Sequence, residues 1–452
     1  MTETHARSGG EILALIREVE TEAPGGAEAL FMAAMLADSP LPYDFALSLE
    51  GTQHNPSLIN PAAAFFAATA TIDPLVDRDL IKTDVDAQIF QVREEVRRTV
   101  VQSLDTATRA EWAGRAIYAL NLVLPDAEPQ NWPTVEWLLP HVYACRDLIT
   151  QLDVHTAAAN RVLHQAGFSL YHQQRHREAA ALLDAALAVD VAIKGRRHPD
   201  ICADLEGLGT VLWAGGELER AENAFTTCLE LQQAIFTEDN PVSAPILNSL
   251  AVIRQALGKH EAAEATFKEC LKVLTRAHGE GHPAIASCLN NLALLYEAEN
   301  RPEEALRLAS RALEINREAY GSDHPEVAAD LNAVALLLDA TGRREEAESH
   351  FRESLAIRAK AYGEAHPETA QSLCNLALFL DNAGRDEEAA ELYARGLSAY
   401  ESALGPGHPL MERALDNYIV LLEKTGRRPT DDRLRALTEA RLRAIVERGA
   451  QP

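Results

Sequence analysis

The sequence is poor in the residues that would place it outside the cytoplasm or on a nucleic acid. It has six cysteines in 452 residues and no C-x-x-C pair, which fits neither a disulfide scaffold nor a zinc ribbon. Reduced thiols in a cytoplasmic protein are the expectation. No apolar run approaches the ~18 residues a membrane-spanning helix requires. The stretch from Met1 to Gly10 is polar and lacks the apolar core of a signal peptide. Positive charge is scarce: 42 Lys and Arg face 68 Asp and Glu, a formal net charge of −26. That balance argues against the clustered basic footprint of a nucleic-acid binder and against an anionic membrane surface. Catalytic motifs are missing too. There is no H-E-x-x-H, no G-x-S-x-G, no G-x-G-x-x-G, no kinase set and no G-x-x-x-x-G-K-[ST] phosphate loop.

What the sequence does have is a period of 42 residues. Pro199, Pro241, Pro283, Pro325, Pro367 and Pro409 keep that spacing, preceded by His198, Asn240, His282, His324, His366 and His408. A turn column reads Gly216, Gly258, Asn300, Gly342, Gly384 and Gly426. Ala179, Ala221, Ala263, Ala305, Ala347 and Ala389 form another column in the same register. Each unit predicts two helices. In the unit at 282–321, Pro283 begins a helix where its missing N–H costs nothing. Leu289, Leu292, Ala293 and Tyr296 recur at helical spacing. Asn300 breaks that helix, a second starts near Pro302, and Gly321 ends it. Small residues recur at Ala186, Cys228, Cys270, Ala312, Ser354 and Gly396, so Cys228 and Cys270 read as small core residues. Five of the 15 histidines lie in the His-Pro column. Neighbouring helix starts stand roughly 10 Å apart, too far for ligands that must lie ~2 Å from one ion. These histidines read as helix caps, and no metal or cofactor is expected.

The columns resemble tetratricopeptide repeats. The small residues Gly167, Gly209, Ala251, Ala293, Ala335 and Ala377, the Ala column from Ala179, and the bulky column Leu183, Phe225, Phe267, Ala309, Phe351, Tyr393 carry the resemblance. The standard unit is ~34 residues; here its closing proline is replaced, as at Arg317, and the second helix runs on. This long form, with Leu-Asn-Asn-Leu-Ala at 289–293, resembles the kinesin light chain type, which is also common in bacterial signalling proteins. The expectation is an all-α chain: a right-handed superhelical α-solenoid of six full units and one partial unit over 156–425. A capping helix at 431–447 follows within 426–452, its outer side carrying Arg433, Arg435, Arg441, Arg443 and Arg448.

Residues 1–150 lack the period. Helices are predicted at about 11–22, 26–37, 41–49 and 60–70, then a β-hairpin over Leu80–Val92, then helices at 93–104, 106–124 and 133–151. The segments Ala29-Leu-Phe-Met-Ala-Ala, Arg93-Glu-Glu-Val-Arg-Arg, Trp112 and Asn131-Trp-Pro through His141 resemble a particular linker. It joins the nucleotide-binding module of NB-ARC-type signal-transduction ATPases to their repeat arrays. The order of helices and hairpin reads as a winged-helix-like domain at 25–105, after a polar tail and helix at 1–24 and before a helical linker at 106–155; the resemblance, over about 25–150, implies the sensor half of such a protein without its motor. The candidate recognition helix, Pro61 to Ala70, has no Lys, Arg, Asn or Gln for phosphates or base edges. Residues 1–150 carry more than twice as many acidic as basic side chains. Protein docking, not DNA, is the expected use.

Tetratricopeptide arrays present the first helix of each pair on a concave face, and residues four apart on a helix share a side. The groove is therefore expected to be lined by Arg161, His164, Phe168, Tyr171 and Trp213 at its N-terminal end. Asn248, Asn290, Asn291, Asn332, Asn375 and Asn417 would form a ladder of amides. Val252, Leu294, Leu336 and Leu378 would be its apolar floor, and Glu297, Asp339 and Asp381 its acidic wall. Asn amides can pair with the backbone of an extended peptide, and an acidic wall steers ligands with basic flanks. The function expected is a non-catalytic scaffold or adaptor binding a peptide segment of a partner protein. The alternative is a regulatory subunit of a split NB-ARC-type ATPase whose motor is on another chain. A third reading, an enzyme with its active site in residues 1–150, has no motif behind it.

Overall fold

The computed structural model describes residues 7–47, 61–235, 240–405, 407–429 and 432–449. They fall into two compact units, Met1–Glu238 and Asp239–Pro452. Among the described residues no helix is long and apolar enough to cross a membrane.

The first unit opens with α1 (Gly9–Glu22), whose start is fixed by a reciprocal Ser8–Glu11 capping box. Then come α2 (Pro24–Met35), β1 (Leu41–Pro42), α3 (Tyr43–Ala46), α4 (Pro61–Asp77), β2 (Ile81–Asp84), β3 (Ile89–Val92), α5 (Glu94–Ser103), α6 (Thr106–Val123) and α7 (Trp132–Leu152). Helix α2 is apolar on nearly every side and sits between α1, α4, α5 and α6. The expected hairpin is present, but it belongs to a three-stranded antiparallel sheet in the order β1-β3-β2. Leu41 pairs with Phe90 and Pro42 with Ile89. The helix expected at 41–49 is thereby reduced to the single turn of α3; residues 48 and 49 lie outside the described residues. Pro40 and Pro42 explain the difference, because a residue before proline is driven to extended backbone. Residue 60, the expected start of the next helix, also lies outside them. Helix α4 continues past the expected end at 70, because Ile72 and Leu75 carry its buried stripe on.

The repeat pairs follow without a break in this unit: α8 (Ala157–His172) with α9 (His176–Lys194), and α10 (Pro199–Ala214) with α11 (Leu218–Ile235). Helices α6 and α7 both pack on α8, and Arg175 bridges Glu136 of α7 and Glu178 of α9. The second unit holds α12 (Ser243–Ala256), α13 (His260–His278), α14 (Pro283–Ala298), α15 (Pro302–Tyr320), α16 (Pro325–Ala340), α17 (Arg344–Tyr362), α18 (Pro367–Asn382), α19 (Asp386–Leu404), α20 (Pro409–Thr425) and α21 (Asp432–Gly449).

The repeat columns acquire physical roles. Nδ1 of His198, His282, His324, His366 and His408 each accepts the backbone N–H two residues on, at 3.2–3.3 Å. Three of these rings also stack on the aromatic ring four residues earlier, as Tyr320 does on His324 at 4.6 Å. Asn240 cannot supply an imidazole. It accepts from Val242 instead, and α12 starts two residues after Pro241 rather than at it. The turn column takes the left-handed conformation throughout, with φ of 66–80° at its glycines and 58° at Asn300. Between paired helices, small faces bulky: a Cβ on Gly209 would come within 2.7 Å of the Phe225 ring. Cys228 and Cys270 donate to the carbonyls of Cys202 and Ala244 at 3.2 and 3.3 Å, and Ser354 does the same to Ala328 at 2.7 Å. The two thiols are buried donors at a place where a hydroxyl also serves.

The last helix departs from expectation in one respect. Arg441 does not face outward. Its guanidinium is largely buried and grips Asp416 through two bonds of 2.7 and 2.8 Å, and Glu412 at 2.6 Å. Arg433 reaches Glu401 of α19. A carboxylate pair on α20 that would otherwise face water is thus half neutralised by α21. Arg435 and Arg443 stay exposed. Residue 431 and the side chain of Arg448 lie outside the described residues.

Candidate functional site

In the second unit the first helices α12, α14, α16, α18 and α20 turn one stripe to solvent. Leu292, Leu295 and Tyr296 of α14 are buried, and the 3.6-residue turn leaves Leu294 on the opposite side. The same geometry recurs every 42 residues. Val252 is half-buried, while Leu294, Leu336, Leu378 and Val420 are 54%, 45%, 37% and 60% exposed. The scaffold thus holds a large aliphatic side chain in solvent at the same position of each unit from α14 to α20.

The asparagines beside this stripe are paired with one another. Asn291 Nδ2 donates to Asn248 Oδ1 at 3.0 Å, and Asn375 Nδ2 to Asn332 Oδ1 at 2.9 Å. Each bond uses one donor and one acceptor, so both members of a pair retain hydrogen-bonding capacity. Asn417 is half-buried at the end of the series. Asn290 differs. Its Nδ2 donates to Asp330 Oδ1 at 2.7 Å, and Asn316 Nδ2 holds Asp330 Oδ2 at 2.7 Å. Asn290 is a strut between α14 and α16 rather than part of an open ladder.

The acidic wall is partly neutralised. Asp339 lies 3.5 Å from Arg344, and Asp381 is held by Lys424 at 2.7 Å. Glu297 remains exposed. Negative potential is therefore concentrated at particular points of the stripe, not spread along it.

In the first unit the five expected residues do not form one lining. Arg161 is committed to the connector before α8: it donates to the carbonyls of Asn121 and Leu124 and pairs with Asp126 at 2.8 Å. Ala127 N–H donates to Gln165 beside it. His164 and Phe168 lie with ring centres 4.6 Å apart, Phe168 meets Tyr171 edge-on, and the Phe168 ring fills the space a side chain at Gly207 would need. Burial lowers the His164 pKa, against the opposing Asp190 charge, which favours the neutral ring. Only Trp213 presents a large exposed surface.

A buried polar series escaped the sequence reading. The column Asp190, Gln232, Leu274, Asn316, Arg358, Tyr400 is buried throughout, and three of its polar members, Asp190, Asn316 and Arg358, lie beside polar residues of the next first helix. Asn316 meets Asp330, and Arg358 Nη1 donates to Ser372 Oγ at 3.2 Å. Asp190 lies beside Asp204, with Lys194 bridging Asp190 and Asp200 at 2.7 and 2.6 Å and His164 nearby. The signal was available, since polar residues at an inward helical position are uncommon.

Burial, reinforced by the Asp190 charge, raises the Asp204 pKa to about 6. A carboxyl raised above its unfolded value favours the folded chain below about 3.9 and loses that contribution as pH rises through the folded value. Asp204→Asn is therefore expected to melt higher than the parent at pH 8, by the equivalent of about 1–2 kcal/mol after allowance for screening. The two should converge near pH 4. Thermal melts at the two pH values check this; coincident melts at pH 8 would show that the pair does not oppose folding.

Among the described residues no three His, Cys, Asp or Glu side chains gather as a metal site. A tetratricopeptide repeat model matches residues 158–234, 242–318, 301–360 and 340–402, together more than half the chain. No curated protein matches the sequence. Among solved structures, the apo form of RapI aligns over 78% of this chain and 91% of its own, at 13% identity and a TM-score of 0.50. Aspartyl phosphate phosphatase F from Bacillus subtilis covers 79% and 89%, at 13% identity and 0.50. The nearly identical repeats of a Podosopora anserina putative kinesin light chain cover 45% and 96%, at 23% identity and 0.41. At such identities RapI and the phosphatase are likenesses of fold.

Proposed function

Because the chain belongs to the tetratricopeptide repeat family, whose members generally serve as protein-interaction scaffolds, we propose that it is a non-catalytic adaptor. Its second unit takes a peptide segment of a partner along the first-helix face. The observation that carries this reading is the aliphatic stripe of half-buried Val252 and exposed Leu294, Leu336, Leu378 and Val420. Burying those side chains against a ligand is the main source of affinity. The flanking Asn pairs offer amide groups to a peptide backbone, and Glu297 favours Lys or Arg beside the apolar residues.

The test is selection of a displayed random-peptide library on the full chain. Enriched peptides should carry spaced apolar residues with basic neighbours, and should fail to bind a Leu294→Asp, Leu336→Asp double variant. Absence of enrichment, or equal binding by the variant, would defeat the proposal.

A second reading, the regulatory subunit of a split NB-ARC-type signalling ATPase, is supported by the first unit. The order α2-β1-α3-α4-β2-β3 with sheet order β1-β3-β2 fits a winged-helix arrangement. The outer side of α4 offers Phe66, Ala70, Asp73 and Val76, a surface suited to protein rather than phosphate. This reading expects a nucleotide-binding partner to co-purify and to dissociate or tighten when ATP replaces ADP. A complex indifferent to nucleotide would count against it.

A further inference from the structure

A crevice of about 530 Å³ opens on the other side of the first repeat pairs, between the second helices. Its walls are Leu187 and Val191 of α9, Ile201 and Leu205 of α10, and Leu231 and Ala234 of α11. At its mouth stand Arg196 and Arg197, both exposed and without an acidic partner among the described residues. Two successive arginines lining one crevice are notable in a chain of net charge −26.

The internal repeat shows what this place holds elsewhere. Advancing 126 residues turns Val191 and Thr227 into Arg317 and Glu353, which pair at 2.7 Å. The same step turns Arg197 and Ala234 into Asp323 and Lys360, which also pair. Advancing 168 residues turns Arg196 and Thr227 into Glu364 and Arg395, paired at 2.8 Å. In those later interfaces charged side chains bridge the crevice. In the first unit the bridging residues are Val, Thr and Ala, and the loop acid is replaced by arginine. Here the crevice has aliphatic walls, and Arg196 and Arg197 line it together with Glu230 and with Asp184, which Arg220 holds; the Glu364–Arg395 pair lines a smaller opening of about 420 Å³.

We infer that this crevice binds the free carboxy-terminus of a partner peptide ending in large apolar residues. The terminal side chains enter between α9 and α11, and the α-carboxylate is held by Arg196 and Arg197. Guanidinium groups match a carboxylate in a planar, two-bond geometry. The crevice is bounded on one side by exposed Ala188, Thr227 and Ala234, so it suits one or two side chains rather than a hydrocarbon chain that must be enclosed. Glu230, also in the lining, disfavours a second carboxylate on the peptide. The site is distinct from the first-helix stripe and does not depend on it.

Fluorescence anisotropy with a labelled Gly-Gly-Ser-Phe-Leu peptide tests the inference on the full chain. The free acid is expected to bind at least tenfold more tightly than its C-terminal amide. Arg196→Ser with Arg197→Asp, which restores the residues found in register at 322 and 323, should lose at least tenfold for the acid and nothing for the amide. Val191→Arg with Thr227→Glu, which rebuilds the bridging pair, should abolish binding of both. The Leu294→Asp, Leu336→Asp variant should bind the acid as the parent does. Equal binding of acid and amide, or an unaffected arginine variant, would overturn the inference. So would dodecanoate binding at the arginines without any binding of the peptide acid.

Discussion

Asp330→Ala is expected to destabilise the second unit by about 3 kcal/mol. The carboxylate is buried and receives an N–H from Asn290 and another from Asn316, each at 2.7 Å. Alanine leaves both donors buried without an acceptor, at roughly 1–3 kcal/mol each. Relaxation recovers part of that, since both asparagines belong to long helices that can adjust. Little is gained by removing the charge. Burial raises the Asp330 pKa, but the two asparagine donors oppose that shift. Asp330→Asn, which keeps the shape and one acceptor, should cost about 1 kcal/mol. In a linear array each pair of helices touches only its neighbours, so the loss is local. Hydrogen exchange should report lost protection in α14 to α16, with α19 and α20 little changed. Unaltered exchange in α14 to α16 would mean that the Asn–Asp–Asn link holds nothing together.

The second large effect is on binding. Leu294→Asp with Leu336→Asp is expected to weaken a selected peptide at least 100-fold while shifting the melt by no more than about 0.5 kcal/mol. Both side chains are about half exposed in the free chain, and surface changes of this kind are nearly neutral to folding. In a complex each leucine would lose about 1–2 kcal/mol of burial, and each new carboxylate would need to be desolvated. Two such losses exceed the ~2.7 kcal/mol that a factor of 100 represents. The neighbours give the contrast: Leu292 and Leu295 are buried, and cutting either to alanine should cost about 2–5 kcal/mol of stability. Asn290 is a poor probe of the same face, because removing it also strips a donor from Asp330. Titration of the selected peptide against parent and variant, beside their melts, separates the two effects.

The repeat architecture was legible because its determinants are local. Proline at a helix start, a left-handed turn after the first helix and a glycine after the second act over a few residues each, and the 42-residue period multiplies them. The helix-capping role of the His column followed from the same logic, as did the exposed Leu column. Most of the failures are matters of partnership. Strand β1 is two residues long and takes its meaning from Phe90 and Ile89, some 48 residues on. Arg161 and Arg441 look like surface charges in one dimension, yet each is spent on a partner from a neighbouring element. Asp339 and Asp381 sit in an acidic column, but cations from other turns neutralise them. Periodicity tells which side of a helix a residue occupies. It does not tell what stands opposite.

The buried column Asp190, Gln232, Leu274, Asn316, Arg358, Tyr400 bears on how such a gene can change. Cutting out or duplicating one 42-residue module in frame would preserve every proline, glycine and alanine position. It would nonetheless seat Asn316 or Arg358 opposite a residue selected for another neighbour. Modules that look interchangeable are thus keyed to their own order, and the array resists the recombination that building blocks of equal length would otherwise invite.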